Sequence, residues 1–191
     1  MAFKMDVGAN RAAVKWSRSE LVRRAAWGLI QPLFRFSPRP FFWGWRRFLL
    51  RLMGAKIGPA VRICPTVRIT IPWHLRIDAQ ATVGEYCILY ALGPIHIGSR
   101  TTVSQNSHLC AGSHDWRLAS MPLLKIPITI GADTWICADA YIGPGVIIGD
   151  RVVVGARSVV VADVDPDTIV AGNPARKIGE RIEVSEKRVK V

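Results

Sequence analysis

Four histidines, at positions 74, 96, 108 and 114, carry the side chain whose ordinary pKa of roughly 6.5 suits proton abstraction near neutral pH. Their settings differ. His114 lies in the stretch SQNSHLCAGSHDW, just before a regular sequence pattern is interrupted, and loops on rigid scaffolds are where chemistry tends to sit. His74 and His108 read from position as ordinary surface residues. His96 lies 18 residues before His114, a spacing that stacks it one coil below. No Ser sits in a G-x-S-x-G elbow, so an acyl-enzyme is not favoured. The four Cys, at 64, 87, 110 and 137, have no CxxC spacing. That disfavours a zinc ribbon or a disulfide framework and reads as small structural residues in a reduced cytosol.

The pattern that must hold these groups has a period of six. From Ile57 onward an aliphatic residue recurs at 57, 63, 69, 77, 83, 89, 97, 103 and 109, and again at 130, 136, 142, 148, 154 and 160. Four places later the residue is Val, Ala, Cys, Gly, Ser or Thr in every case but Trp73. Gly follows the aliphatic residue at 58, 84, 98, 131, 143, 149 and 155. A six-residue period cannot make a helical stripe, but it makes a short strand plus a corner. Three units make a coil, and stacked coils pair their strands in parallel with the aliphatic side chains pointing inward. The small residue fits the narrow interior, and Gly is expected to supply corners with positive φ. Between Leu109 and Ile130 some fifteen extra residues leave the prism as a loop, with His114 at its root facing outward.

The repeat resembles that of the hexapeptide-repeat acyltransferases over about residues 55–182. The resemblance implies a mainly β fold, a left-handed parallel β-helix of about five coils. The runs SQNSHLCAGSHDW, MPLLKIPITIG and DTWICADAYIGPGVIIGD, closed by VVAGNPARKIGER, resemble sugar O-acetyltransferases of the colanic-acid-biosynthesis type. By that resemblance His114 is the catalytic base, and Asp115 and Trp116 lie at the acceptor side. Trp135 lines the groove for the pantetheine arm of acetyl-CoA. Ala138, Gly155, Ala156 and Ser158 lie against that cofactor, and Arg176 and Lys177 meet its phosphates, where cations suit several negative charges. Relatives often carry Asn near the position of Ala91, so acceptor contacts are expected to shift to Tyr90 or the loop. AGNPA reads as a sharp turn ending the prism, with Pro174 stopping further strand pairing. The implied reaction is direct transfer to a sugar hydroxyl in a ternary complex, during exopolysaccharide or other surface-glycan assembly. Family members are homotrimers, and no metal is expected. Two other readings use the same fold: a γ-type carbonic anhydrase with zinc on His96, His108 and His114, and a scaffold without catalysis.

The 191 residues carry a formal net charge of +12, which admits nucleic acid, a membrane surface or a polyanionic cofactor as partner. Residues 1–56 hold 12 Lys and Arg against Asp6 and Glu20, a net of +10, together with all six Phe and four of the seven Trp. The sequence therefore divides into a basic, aromatic helical segment over 1–56, the β-helix over 57–175 with its loop at 115–129, and a tail over 176–191. Ser19 and Glu20 are expected to start a helix with Leu21, Val22, Ala25, Leu29 and Ile30 on one face. Pro40 is expected to open a second, to Met53, with Gly54 at its C-terminal cap. Its Phe41, Trp45, Phe48, Leu49 and Leu52 share a face, and Arg46, Arg47 and Arg51 lie on another. Such helices over 19–53 fit either of two roles: capping the open first coil, or lying on an anionic membrane. Nucleic acid is not expected, because no binding motif accompanies the charge. No stretch long enough to span a bilayer and no export signal is seen, so the expected location is cytoplasmic, with the inner face of the inner membrane as the further option.

Overall fold

In the computed structural model, residues 4–38 and 41–182 are described. Three helices precede a three-faced parallel β-solenoid. The first face stacks Lys56–Ile57, Leu75–Ile77, Ile95–Ile97, Ile128–Ile130 and Ile147–Ile148. The second stacks Arg62–Ile63, Thr82–Val83, Thr102–Val103, Trp135–Ile136 and Val153–Val154, and continues into Thr168–Gly172 and Ala175–Glu180. The third stacks Arg68–Ile69, Ile88–Tyr90, His108–Cys110, Tyr141–Ile142 and Val159–Val160. Register follows the repeat: Ile57 pairs with Ile77, Ile63 with Val83 and Ile69 with Leu89, each twenty residues on. All fifteen aliphatic positions are buried, and their side chains form one continuous core. Beyond the five complete coils, Val164 and Val170 begin a sixth.

The corner glycines act differently from the expectation. Positive φ falls three places after the aliphatic residue, on Ala60, Gln80, Tyr86, Arg100, Asn106, Asp133, Asp139, Arg151, Arg157 and Asp167. Among the glycines that follow the aliphatic residue, none is in that region. Their constraint is contact between coils. A Cβ on Gly98 would stand 2.5 Å from the carbonyl carbon of Gly131, and one on Gly58 would stand 2.6 Å from the Ala79 nitrogen. Backbone cannot yield as a side-chain tip can. Gly98→Ala is therefore expected to cost about 1–3 kcal/mol, lowering Tm by about 2–12 °C in a thermal melt. An unchanged Tm would mean the coils separate at no cost.

The chain does not stop pairing at Pro174. Thr168–Gly172 turns through Asn173 and Pro174 into Ala175–Glu180, which pairs back antiparallel. Parallel coiling ends there while hydrogen bonding continues, because an antiparallel return needs only a tight turn. The segment expected as a tail thus begins as a strand, and residues 183–191 lie outside those described.

At the other end, α1 (Val7–Ala12) is capped by the Asp6 carboxylate, which accepts from Ala9 N. Helix α2 (Arg18–Arg35) begins two residues earlier than Ser19 and Glu20 suggested: Ser17 and Glu20 form a reciprocal capping box. Helix α3 (Trp43–Leu52) ends with Gly54 at φ +89°, its N–H donating to Arg51 O while Ala55 N donates to Leu50 O. The expected helix start at Pro40 lies outside the described residues.

These helices cover the first coil with faces other than those read from the sequence. Trp27, Phe34, Leu49, Leu50 and Met53 are buried, whereas Leu21, Val22 and Leu29 of α2 and Trp45, Phe48 and Leu52 of α3 are exposed. Much of the basic charge answers a backbone need. An open first coil presents carbonyls with no strand to pair them. Arg46 Nε donates to Ile63 O at 2.7 Å, Arg47 to Val61 O at 2.9 Å, Arg51 to Ile57 O and Gly58 O, and Trp27 Nε1 to Ile69 O at 2.9 Å.

Candidate active site

The interruption is an antiparallel hairpin, not a loop throughout 115–129. Gly112–His114 pairs with Leu123–Lys125, and the first-face strand resumes at Ile128. The hairpin leaves the prism at the corner between the third and first faces, where Ala111 O accepts from Gly93 N and Ile126 N. His114 therefore ends a strand and projects, exposed, over the turn.

Its orientation is fixed by one hydrogen bond. His114 Nδ1 lies 2.6 Å from Met121 O. A carbonyl only accepts, so Nδ1 carries the hydrogen, and in the neutral ring Nε2 keeps its lone pair. Met121, whose carbonyl meets the imidazole, has φ +42°, in the left-handed region. The arrangement presents an oriented base at Nε2. Asp115 follows directly but is engaged elsewhere: it forms a two-point pair with Arg117, at 2.8 and 2.9 Å. The Arg117 guanidinium hydrogen-bonded to it holds its carboxyl below the usual range. Trp116 is largely exposed.

The cavity at His114, about 190 Å³, has walls that the sequence did not announce. Met5, Asp6, Val7 and Asn10 form one side, and Ala119, Ser120 and Met121 the other. Asn10 Nδ2 donates to Ser120 O and Met121 O, each at 2.7 Å, and Asp6 N donates to Ala119 O at 2.8 Å. Lys125 holds the same strap from below. Its Nζ sits 3.9 Å from the Trp16 ring centre and donates to Lys15 O. The N-terminal segment thus positions the carbonyl that positions His114. Contacts spanning 110 residues leave no periodic trace in the sequence.

Tyr90, Asp115 and Trp116 do not line this cavity. Tyr90 stands on the third face beside His108, ring centres 6.2 Å apart, and His108 meets Tyr141 at 5.4 Å. His108 is therefore part of an aromatic row and not an ordinary surface residue; burial pushes its pKa down. His96 does not stack beneath His114. It pairs in register with Arg76 and Thr129 on the first face, and its Nε2 contacts Asp78 Oδ2 at 2.7 Å. His96, His108 and His114 occupy the first face, the third face and the hairpin, and no cluster of three potential ligands exists among the described residues. Cys87 is packed inside, and burial pushes its thiol to about 12.

The residues expected at the donor gather elsewhere. Trp135 is half exposed on the second face, its Nε1 donating to Ser104 Oγ at 2.9 Å. Ala138, Gly155, Ala156 and Ser158 occupy the corner between the second and third faces on two successive coils. Ser158 is fully buried; its Oγ accepts from Gly172 N and its carbonyl from Tyr141 N. Arg176 and Lys177 lie on the returning strand, at the mouth of a groove of about 330 Å³ that also contains Asp163 and Asp165. Lys177 Nζ pairs with Glu180 at 3.0 Å, and Arg176 has no acidic partner among the described residues. Trp135 and the returning strand are three strand spacings apart, about 14 Å, along one face. One elongated molecule can span them. His114, at the opposite corner of the third face, belongs to a different edge of the same prism.

Residues 127–162 match the bacterial transferase hexapeptide family model of six repeats. The chain is 45% identical over 157 residues to the putative colanic acid biosynthesis acetyltransferase WcaF of Escherichia coli K12, covering 82% of this chain and 86% of that protein. Among solved structures it resembles a maltose O-acetyltransferase from Clostridium difficile 630, with TM-score 0.79 and 26% identity over 87% of this chain and 90% of that one. It also resembles a hexapeptide-repeat acetyltransferase from Vibrio cholerae O1 biovar eltor in complex with acetyl-coenzyme A, with TM-score 0.80 and 27% identity over 89% and 93%.

Proposed function

The chain belongs to the hexapeptide-repeat acetyltransferase family that includes the colanic acid biosynthesis acetyltransferase WcaF, and from that premise we propose that it acetylates a sugar hydroxyl of a surface glycan, with His114 as the general base. The observation that carries the assignment of the base is the 2.6 Å contact between His114 Nδ1 and Met121 O, which leaves Nε2 as the acceptor. Acetyl-CoA is the donor substrate. Nε2 takes the proton of the acceptor hydroxyl as its oxygen attacks the thioester carbonyl. The tetrahedral intermediate then collapses, the C–S bond breaks, and the proton passes to the departing thiolate to give free CoA. The Met121 carbonyl also steadies the imidazolium while it holds that proton. Asp115, tied to Arg117, shapes the turn and does not orient the imidazole.

In this reading the donor lies along Trp135 and the second-third corner, with its phosphates toward Arg176 and Lys177. Ala138, Gly155 and Ala156 give it a wall without bulk, and Ser158 supports that wall by holding Gly172. Tyr90, Asp115 and Trp116 form the outer approach for the acceptor, while Met5, Val7 and Asn10 flank the reacting hydroxyl.

The base and the donor track occupy different edges of one prism. Side-by-side copies bring one copy's hairpin against its neighbour's second-third corner, so a closed homotrimer completes each site. An acetyl-CoA donor fits a reaction in the cytoplasm, at the inner face of the membrane. Among the described residues no helix is long and apolar enough to cross a membrane.

The test is thiol release from acetyl-CoA against a panel of glycan acceptors, with light scattering on the same sample. Acceptor-dependent release, an ester product and a trimeric mass are expected. A monomer with full activity contradicts the shared site, and an amide product contradicts the hydroxyl acceptor.

A further inference from the structure

Helices α2 and α3 are apolar on two opposite sides, and capping consumes only one of them. The inward side of α2 carries Trp27 and Phe34; the outward side carries Val22, Leu29, Leu33 and Phe36, with Leu29 81% and Phe36 86% exposed. On α3 the outward side carries Trp45, Phe48 and Leu52, while Arg46, Leu49 and Leu50 face the core. The two outward stripes are continuous. Trp45 Nε1 donates to Leu33 O at 3.2 Å, Trp45 stacks on Phe48 at 5.7 Å, and an open groove of about 390 Å³ runs between Leu33, Phe36, Phe42 and Trp45. A soluble monomer rarely leaves so large a contiguous apolar surface uncovered.

Charge identifies what covers it. Arg18 and Arg35 flank the α2 stripe, exposed and without an acidic partner among the described residues. The two acids of residues 1–56 are both spent on helix caps: Asp6 accepts from Ala9 N and Glu20 from Ser17 N. A second copy placed ridge to ridge would set arginine against arginine with no carboxylate to answer. An anionic bilayer answers both features at once, taking the Leu, Phe and Trp side chains into its headgroup boundary and pairing the arginines with lipid phosphates.

We infer that the outward ridge of α2 and α3 docks this enzyme on an anionic membrane surface, where its acceptor is a glycan carried on a lipid. The docking stands on the ridge alone; the form of the acceptor rests on the function proposed above. Helix α2 starts directly after the strap that walls the His114 cavity, so the ridge and the cavity share one rigid support: Lys125 of the hairpin lies 3.8 Å from Glu20 in its first turn.

The test floats the full-length protein on phosphatidylcholine vesicles and on vesicles with about one-third phosphatidylglycerol. Wild type is expected to bind the anionic vesicles, and binding is expected to weaken with added salt. The double variant Leu29→Ser, Phe48→Ser removes two exposed apolar side chains and is expected to lower partitioning at least ~10-fold with an unchanged Tm. Its acetyl transfer to a soluble glycan fragment should match wild type, while transfer to a lipid-linked glycan in vesicles should fall with binding. Equal binding of variant and wild type, equal binding to neutral vesicles, or no binding at all overturns the docking. A variant whose only change is a smaller oligomer in light scattering overturns it in favour of a second copy. Full transfer to a lipid-linked acceptor by an unbound variant overturns the link between docking and transfer, and wild-type transfer to soluble acceptors with none to the lipid-linked glycan overturns the acceptor's form. Loss of acetyl transfer by wild type on every acceptor, with vesicle binding intact, counts against the proposed function and leaves the docking standing.

Discussion

Replacing His114 by alanine is expected to lower kcat by about two to four powers of ten, with Tm and the KM for acetyl-CoA near wild type. The side chain is exposed at a strand end, so its loss opens no core cavity and removes only one hydrogen bond, to Met121 O. The residues proposed to hold the donor, Trp135, the second-third corner and Arg176 with Lys177, do not include His114, so donor affinity has no reason to change. His114→Gln separates the two roles of the imidazole. A glutamine amide can still donate to the Met121 carbonyl but offers no base of suitable pKa, so this variant is expected to be as slow as the alanine one. Substantial rescue by glutamine would make His114 a positioning residue and move the base elsewhere.

Arg46→Ala is expected to destabilise the fold by about 3–5 kcal/mol, lowering Tm by about 10 °C or more. Arg46 is fully buried beneath the first coil. Its Nε donates to Ile63 O and its Nη1 to Ser37 O and Ser37 Oγ, at 2.7 to 3.0 Å, with the guanidinium 4.6 Å from the Trp43 ring centre. Truncation leaves a cavity and strips the edge carbonyl of Ile63 of its donor in a place water does not reach. Arg46→Lys is expected to recover only part of the loss, because an ammonium cannot make the same fork. A Tm within about 2 °C of wild type for Arg46→Ala would show that the cap is dispensable to the prism.

Arg46 also shows where sequence reading reached its limit. The solenoid was legible because its aliphatic period is strict and each side chain meets its equivalent one coil away; even the register could be counted. For the glycines the structure differs from the expectation in cause. Their recurrence marked a backbone constraint, but φ sits on Ala60 or Arg100, whereas Gly58 and Gly98 are held by the neighbouring coil. For α2 and α3 the helical period was correct and the buried face was not. Phe and Leu lie on both sides, so hydrophobic spacing could not say which side meets the prism. The deciding contributors are arginines, which sequence patterns assign to solvent. His114 stood out because it sits where the repeat breaks. Its partner is a backbone carbonyl at Met121, and its cavity wall comes from residues 5–10; neither has a residue-type signature.

The charge also changes meaning. Arg46, Arg47 and Arg51 pair with open carbonyls of the first coil, Arg23 lies over Trp73, and Arg24 lies over Trp16. What remains for a partner is the smaller set at the ridge, Arg18 and Arg35 among them, and Arg176 at the groove proposed for the donor.

The most direct measurement of direct transfer from a His114 base is to mix the enzyme with acetyl-CoA labelled in the acetyl group, quench, and count label on protein before and after adding a glycan acceptor. No label on the protein at any time, with label appearing in the acceptor only when His114 is intact, is the result predicted. Stoichiometric label on the protein before the acceptor arrives, chased onto the glycan afterwards, would contradict it.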